Sequence, residues 1–101
     1  MKVVLDAGAL GDLERIRKWI ERDNPDASRR VIVRLFDTFD LLAAFPNMGH
    51  AGLDEGTREW TVPGLPYVIV YEINAELDEL IITAVSTGRE RGGGGIARRV
   101  L

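Results

Sequence analysis

The stretch TREWTVPGLPYVIVYEI, residues 57–73, decides the fold because its residues follow a strand pattern of period two. The segments 57–62 and 67–73 are rich in β-branched and aromatic residues, and the turn sequence PGLP separates them. A second turn, at 74–78, leads into a third run at 79–85. Links this short join antiparallel strands, so the sequence predicts a three-stranded meander.

The residues before this stretch follow helical spacing instead. Apolar residues recur at three- and four-residue steps over 8–22, and again on a wider face over 25–44. Asp6 stands at the N-cap position of the first predicted helix, and Pro25 suits the first turn of the second. The break at Asp23-Asn24 is short, so we expect the two helices to form an antiparallel hairpin.

A short β-prone run, Lys2–Leu5, precedes the first helix. The predicted order is therefore β-α-α-β-β-β. This is an α+β fold in which the helical hairpin packs on one face of a twisted, antiparallel four-stranded sheet. Residues 46–56 hold one proline and three glycines and are predicted to be a loop. We expect a single domain over residues 1–91, followed by a flexible, glycine-rich basic tail over 92–101.

Composition excludes several classes of function. The chain has no cysteine, which removes disulfides, thiolate metal sites and cysteine nucleophiles. Its one histidine and scattered carboxylates do not make a zinc site, and no phosphate-binding glycine loop opens a helix. No signal sequence or membrane-length apolar run is evident, so we expect a cytoplasmic protein without a cofactor.

The distribution of charge along the chain is more informative than the net charge. The net charge is −3, which argues against a dedicated nucleic-acid binder. Residues 58–87 carry a net charge of −4, whereas residues 88–101 carry +3. Arginine outnumbers lysine eleven to two. Arginine favours bidentate contacts with carboxylate or phosphate, although genomic base composition explains the excess equally well.

Short motifs along the chain, in this order and spacing, resemble the RelE/ParE family of toxins. They are Ala9-x-x-Asp12-Leu13-x-x-Ile16, Asn24-Pro25, Phe45-Pro46-x-x-Gly49, Thr57-Arg58-Glu59-x-x-Val62, Tyr67-x-x-x-Tyr71, and Ile82 through Gly88-Arg89. The resemblance covers about residues 2–91. It implies a toxin that a cognate antitoxin, ParD-like or similar, holds inactive in a hetero-oligomer. Some family members cleave mRNA on the ribosome, whereas ParE-type members poison DNA gyrase.

Two functions within the family stay open, and they use different residues. The resemblance places Arg58 and Arg89 at the phosphate site of a RelE-type endoribonuclease, with His50 as a candidate for proton transfer. His50 stands where the family usually has a basic residue, and Thr87 where it often has histidine. These departures favour a ParE-like toxin that inhibits gyrase by binding. A third alternative is a decayed member that retains only antitoxin binding.

The candidates for binding phosphate or the cellular target are Arg58, Arg89, Arg91 and Tyr71. Two of these, Arg58 and Tyr71, have a structural alternative. Arg58 is as readily an ion-pair partner across strands, for instance of Glu72. For Tyr71 the favoured alternative is a core residue with its hydroxyl at the rim.

The candidates for antitoxin binding are Trp19, Leu35, Phe39 and Arg89. The wide apolar face of the second helix invites a partner to cover it, and an acidic antitoxin would suit the arginines near the C-terminus. The structural alternative for Trp19 is packing in the core or at its edge.

Overall fold

The computed structural model describes residues 1–87, which form two helices and five strands. In chain order these are β1 (Lys2–Leu5), α1 (Ala7–Glu21), α2 (Pro25–Ala44), β2 (His50–Ala51), β3 (Arg58–Thr61), β4 (Tyr67–Asn74) and β5 (Glu79–Thr87). The helices lie within one residue of their predicted bounds. The predicted domain boundary at residue 91 and the predicted tail at 92–101 lie outside the described residues.

The sheet differs from the prediction in strand number and direction. It has five strands in the order β1-β5-β4-β3-β2, and β1 pairs with β5 in parallel, so the sheet is mixed. The prediction of four antiparallel strands was wrong because a four-residue run carries no signal for its partner or direction. The extra strand, β2, is two residues long and formed within the predicted loop, where it pairs with β3.

Both helices begin at side-chain caps, of which the Asp6 cap was predicted and the Asn24 cap was not. The Asp6 carboxylate accepts a hydrogen bond from the Ala9 N–H at 2.9 Å. The Asn24 side chain accepts one from the Ala27 N–H at 3.0 Å, and Pro25 follows it in the first turn. These contacts satisfy backbone donors that have no partner inside the helix, which fixes where each helix starts.

The core lies between the helical hairpin and one face of the sheet. Its largest fully buried side chains include Leu35 and Phe39 of α2, Tyr71 and Ile69 of β4, and Leu80 of β5. The apolar face of α2 therefore points into the protein, where it packs on the sheet. The prediction that Leu35 and Phe39 offer a surface to the antitoxin is corrected: both side chains have no exposed area.

An irregularity in β5 brings that strand close to α1. Val70 pairs with Ala84 and Tyr71 with Ile82, so Thr83 is an extra residue with no partner of its own in β4. A bulge of this kind bends the strand locally. The Thr83 carbonyl oxygen lies so near Gly8 that a Cβ atom added there would be 2.9 Å away. Glycine therefore allows the first turn of α1 to rest directly on the bulge.

No helix within residues 1–87 is both long enough and apolar enough to cross a membrane.

Candidate functional site: a loop clasp and a basic groove

Arg58, a candidate for phosphate binding, holds a loop in place. Its half-buried guanidinium donates hydrogen bonds to the carbonyl oxygens of Asn47, at 3.0 Å, and Gly49. The strand register places Arg58 opposite Tyr71, and Glu72 is exposed without contacting it. The expected ion pair with Glu72 is therefore absent from the described residues.

Tyr71, which lies in the core, forms hydrogen bonds with the same loop. Its hydroxyl donates to the Pro46 carbonyl at 2.7 Å and accepts from the Gly49 N–H at 3.0 Å. The side chain has no exposed area. The expectation that Tyr71 contacts the cellular target is corrected, because both the ring and the hydroxyl are used inside the protein. We call residues 46–49, with Arg58 and Tyr71, the loop clasp.

His50, the candidate for proton transfer, and Glu59, a carboxylate that could also transfer a proton, lie on the opposite face of the sheet. His50 pairs with Glu59 across β2 and β3, and paired residues share a face. Glu59 alternates with Arg58 along β3, so their side chains point to opposite faces. Glu59 is only 4% exposed and accepts a hydrogen bond from the Leu53 N–H at 3.1 Å. His50 is exposed, and its ring contacts the Ala51 carbonyl.

Arg89 and Arg91, the remaining candidates from the sequence, lie outside the described residues. Within residues 1–87 there is no cluster of three or more carboxylate and histidine side chains that could hold a metal ion.

A groove of about 690 Å³ opens between α1 and the adjoining ends of β4 and β5. We call it the basic groove. The sheet contributes Tyr67 and residues 85–87. Its other walls are formed by α1, with Asp12, Arg15, Ile16, Lys18 and Trp19, and by Arg22, the residue that caps the end of α1. The helix thus supplies three basic side chains and one acidic side chain, a net charge of +2, on a chain whose overall charge is −3.

Asp12 lies at the wall of the groove and joins the helix to the sheet. Its side chain accepts a hydrogen bond from the Val85 N–H at 2.9 Å and forms an ion pair with Arg15. The Asp12 side chain is 9% exposed, whereas the Arg15 side chain is 72% exposed. The carboxylate therefore serves the fold, and the guanidinium of Arg15 faces solvent at the rim.

Trp19 is the most exposed large apolar residue of the described chain, at 69%. The guanidinium of Arg22 lies 5.4 Å from the centre of its ring, within the range of a cation–π contact. The alternative that Trp19 packs in the core is wrong. Its place in the groove fits the prediction that it contacts a partner, and that role stays a prediction.

Arg15, Lys18 and Arg22 were not candidates from the sequence, because charged residues off the apolar stripe of a helix are usually only solvated. A signal was available in their spacing. They stand four residues before, one before and three after Trp19, so Arg15 and Arg22 share its helix face. A tryptophan beside the apolar stripe, with cations on its own side, is typical of a contact surface.

Ion pairs along α1 set the charge of the groove's outer wall. Glu14 accepts a hydrogen bond from Arg17 and lies 3.6 Å from the Lys18 ammonium. The hydrogen bond from Arg17 is the main reason that the pKa of Glu14 is lowered. Arg17 also bonds Glu21 at 2.9 Å. Arg22 has no ion-pair partner among residues 1–87, so its charge is available at the groove.

Comparison with known proteins agrees with this architecture. The family model described as "ParE toxin of type II toxin-antitoxin system, parDE" matches residues 3–92. A protein of Sinorhizobium fredii named "Putative toxin Y4kP" is 38% identical over 74 residues, which are 73% of this chain and 77% of that protein.

A solved structure shares the fold. It is described as "Chromosomal ParDE TA system from P. aeruginosa" and superposes with a TM-score of 0.76 at 17% sequence identity. The match covers 86% of this chain and 95% of that one. The family model spans nearly the whole described chain, and the Sinorhizobium relative is similar over most of its own length. The chain therefore belongs to the ParE toxin family of type II toxin–antitoxin systems.

Proposed function

We propose that this toxin acts in the cytoplasm by binding DNA gyrase, without cutting RNA, and that a cognate antitoxin neutralises it in a tight complex. The geometry of the loop clasp supports the statement that the toxin does not cut RNA. Cleavage of RNA by its own 2′-hydroxyl needs a base, an acid and a cation that face one phosphate.

The described residues do not present that set on one surface. Arg58 lies on the helix-facing side of β3 and is bonded to two loop carbonyls. Glu59 and His50 lie on the other side, and Glu59 is buried. An arginine that left the loop to hold a phosphate would abandon two hydrogen bonds, and it would still face away from both candidates for proton transfer.

The choice of gyrase rests on the family. The match is to the ParE branch, and ParE-type members are the gyrase poisons within the wider resemblance. The choice of an antitoxin as partner is supported by the solved relative, which is described as part of a ParDE toxin–antitoxin system. The exposed tryptophan and basic wall of the groove supply a surface of the kind that a partner covers.

The experiment separates binding from cleavage. In growing cells, the toxin is induced, and a DNA-damage reporter and selected transcripts are followed over time. In a second experiment, the supercoiling activity of purified gyrase is measured with and without added toxin. We expect early reporter induction, intact transcripts and lost supercoiling. Co-expression of the adjacent gene's product should restore growth.

His50→Ala is the matched variant. The ring is exposed and makes one contact to its neighbour's carbonyl, so the fold should be unaffected. We expect this variant to remain as toxic as the natural chain. Ribosome-dependent cuts within coding regions that precede the damage response, and that disappear in His50→Ala, would contradict the proposal and favour a RelE-type endoribonuclease.

A further inference from the structure

Four exposed residues lie in one line along α2, on a side of the helix that the sheet does not cover. They are Arg29, Val33, Phe36 and Asp40, and their steps of four, three and four residues keep them within about 60° around the helix axis. Val33 is 53% exposed and Phe36 is 43% exposed. These steps are those of a coiled-coil seam, in which the residues of one helix face a second helix. We call the four residues the α2 stripe.

The fold does not use the charges at the two ends of the stripe. Asp40 forms no ion pair within residues 1–87. In the same part of the chain, Arg29 is paired with Asp26 alone, at 3.3 Å, and the two side chains are 74% and 76% exposed. An ion pair this exposed contributes little to stability. Arg34, which lies off the stripe, instead donates a hydrogen bond to the Pro63 carbonyl and so serves the fold.

The order of charges along α2 is the reverse of the order that stabilises a helix. Apart from Asp26 in the first turn, the N-terminal half carries Arg29 and Arg30, whereas Asp37 and Asp40 lie in the C-terminal half and the last turn has no basic residue. The helix dipole favours negative charge at the N-terminus and positive charge at the C-terminus. Arg29 and Asp40 are about 16 Å apart along the axis, too far to pair within one helix. The order of charges therefore indicates a partner outside the helix.

The α2 stripe is complementary to itself. If a second α2 lies antiparallel, with a twofold axis between residues 34 and 35, Arg29 stands opposite Asp40 of the second copy and Val33 stands opposite its Phe36. The axis repeats both contacts, so two ion pairs flank four apolar side chains in an interface that uses the same patch on both copies. A purely acidic or purely basic partner would match one end of the stripe and be repelled by the other. A partner with the same order of charges matches both ends.

We infer that the free toxin self-associates through the α2 stripe, as a symmetric dimer in which the two α2 helices pack antiparallel. The occupant of the stripe is a second copy of this chain, so the inference does not depend on the proposed function. The contact from Arg29 to Asp40 is about 16 Å long. One helix pair of this length belongs to the class of weak interfaces, below about 1,200 Å². The dimer therefore forms at micromolar or higher concentrations of toxin.

The test exchanges the charges at the ends of the stripe and measures the dimer Kd of the purified full-length toxin by sedimentation. We expect the natural chain to pass from monomer to dimer as its concentration rises. Arg29→Glu and Asp40→Arg each place like charges opposite one another, so each variant alone should raise the Kd by about tenfold or more. A mixture of the two single variants has opposite charges at both contacts and should form a heterodimer with a Kd close to the natural one. The double variant should dimerise with itself for the same reason.

The controls separate the stripe from net charge and from folding. Lys2→Glu and Glu76→Arg make the same changes in charge at exposed positions outside α2, and screening by salt should keep their effect on the Kd below about twofold. Val33→Ser should raise the Kd by about tenfold, because the twofold axis removes two apolar contacts at once. Neither charge variant of α2 should lower the melting temperature, since glutamate early in a helix and arginine late in it are both favoured by the dipole.

Three results would overturn the inference. A natural chain that stays monomeric at millimolar concentration has no such interface. If the two single variants dimerise as the natural chain does, or if their mixture fails to dimerise, the α2 stripe does not pair in this register. If the natural chain is monomeric, and both Val33→Ser and Arg29→Glu weaken its binding to the adjacent gene's product, the occupant of the stripe is the antitoxin. In that case the inference falls while the proposed function stands.

Discussion

Asp12 of α1 accepts a hydrogen bond from the backbone N–H of Val85, 73 residues later in the chain. This hydrogen bond lies just beyond the last residues at which β1 pairs with β5. The parallel register of these strands ends at Leu5 and Ile82, and the Asp6 N–H bonds the Ile82 carbonyl as the chain turns into α1. The Asp12 carboxylate thus accepts the hydrogen bond from the Val85 N–H, which a backbone carbonyl of a longer β1 would otherwise have accepted.

Asp12→Ala should therefore destabilise the protein by about 1–3 kcal/mol, because it leaves the buried Val85 N–H without an acceptor. Asp12→Asn should lower the free energy of unfolding by less, since the amide oxygen of asparagine can still accept the hydrogen bond from the Val85 N–H. Asp23→Ala, at an exposed position after the same helix, is the control and should be nearly neutral. Urea unfolding gives the free energies. Equal stabilities for Asp12→Ala and Asp23→Ala would show that the bond contributes nothing.

The sequence predicted those parts of the fold that have a strong period. Both helices and the meander of β3, β4 and β5 follow from apolar spacing, and their starts and turns follow from Asp6, Pro25 and the PGLP turn. The parallel pairing of β1 could not be predicted, because direction depends on where the chain returns and not on four β-prone residues. Nor does any local pattern mark the bulge at Thr83.

The candidate sites were harder to predict because burial and exposure depend on packing. Leu35 and Phe39 lie on an apolar face, and a sequence alone cannot tell whether the sheet or a partner covers that face. Arg58 and Tyr71, on neighbouring strands, were candidates for binding phosphate or the cellular target, whereas both side chains bond to the loop at residues 46–49. Trp19 was a candidate for antitoxin binding and is exposed in the structure, and its role in binding stays a prediction. The basic residues around it were not candidates, because only the folded helix shows that they border one groove.

Two glycines in α1 provide a matched test of the contact with β5. A Cβ at Gly8 would lie 2.9 Å from the Thr83 carbonyl oxygen, whereas one at Gly11 would meet nothing nearer than 3.5 Å. Gly11→Ala should stabilise the protein by about 0.5–1 kcal/mol through helix propensity. Gly8→Ala should destabilise it by about 1 kcal/mol or more, because the strand must shift. Thermal unfolding distinguishes them, and stabilisation by both substitutions would refute the close approach.

The lowered pKa of Glu14 predicts a pH effect of known sign. A carboxyl whose pKa is lower in the folded than in the unfolded state stabilises the fold above its ordinary pKa. That contribution is lost as the pH falls through the lowered value. The effect should be small, because Glu14 is exposed and solvent screens its bond with Arg17. Carboxyl NMR titration should show Arg17→Gln moving the pKa of Glu14 upward and Arg29→Gln leaving it in place. A pKa that ignores Arg17→Gln would assign the shift to another cause.

The loop clasp makes Gly49 and Tyr71 energetically coupled. A Cβ at Gly49 would lie 2.5 Å from the Tyr71 hydroxyl oxygen and 2.7 Å from the Glu59 carbonyl oxygen, so Gly49→Ala should be strongly destabilising. Tyr71→Phe removes the hydroxyl that the Gly49 N–H donates to, at a cost of about 1–3 kcal/mol.

Combining the two substitutions should cost less than their sum by about 0.5 kcal/mol or more, because phenylalanine removes one of the two oxygens that the new methyl group meets. The contact with the Glu59 carbonyl remains, so the relief should be partial. Gly56→Ala is the control: its φ of +82° makes alanine strained, but no atom lies within 4 Å, so it should be additive with Tyr71→Phe. Urea unfolding of the single and double variants completes the cycle. Full additivity of Gly49→Ala with Tyr71→Phe would mean that the two residues do not share the clasp.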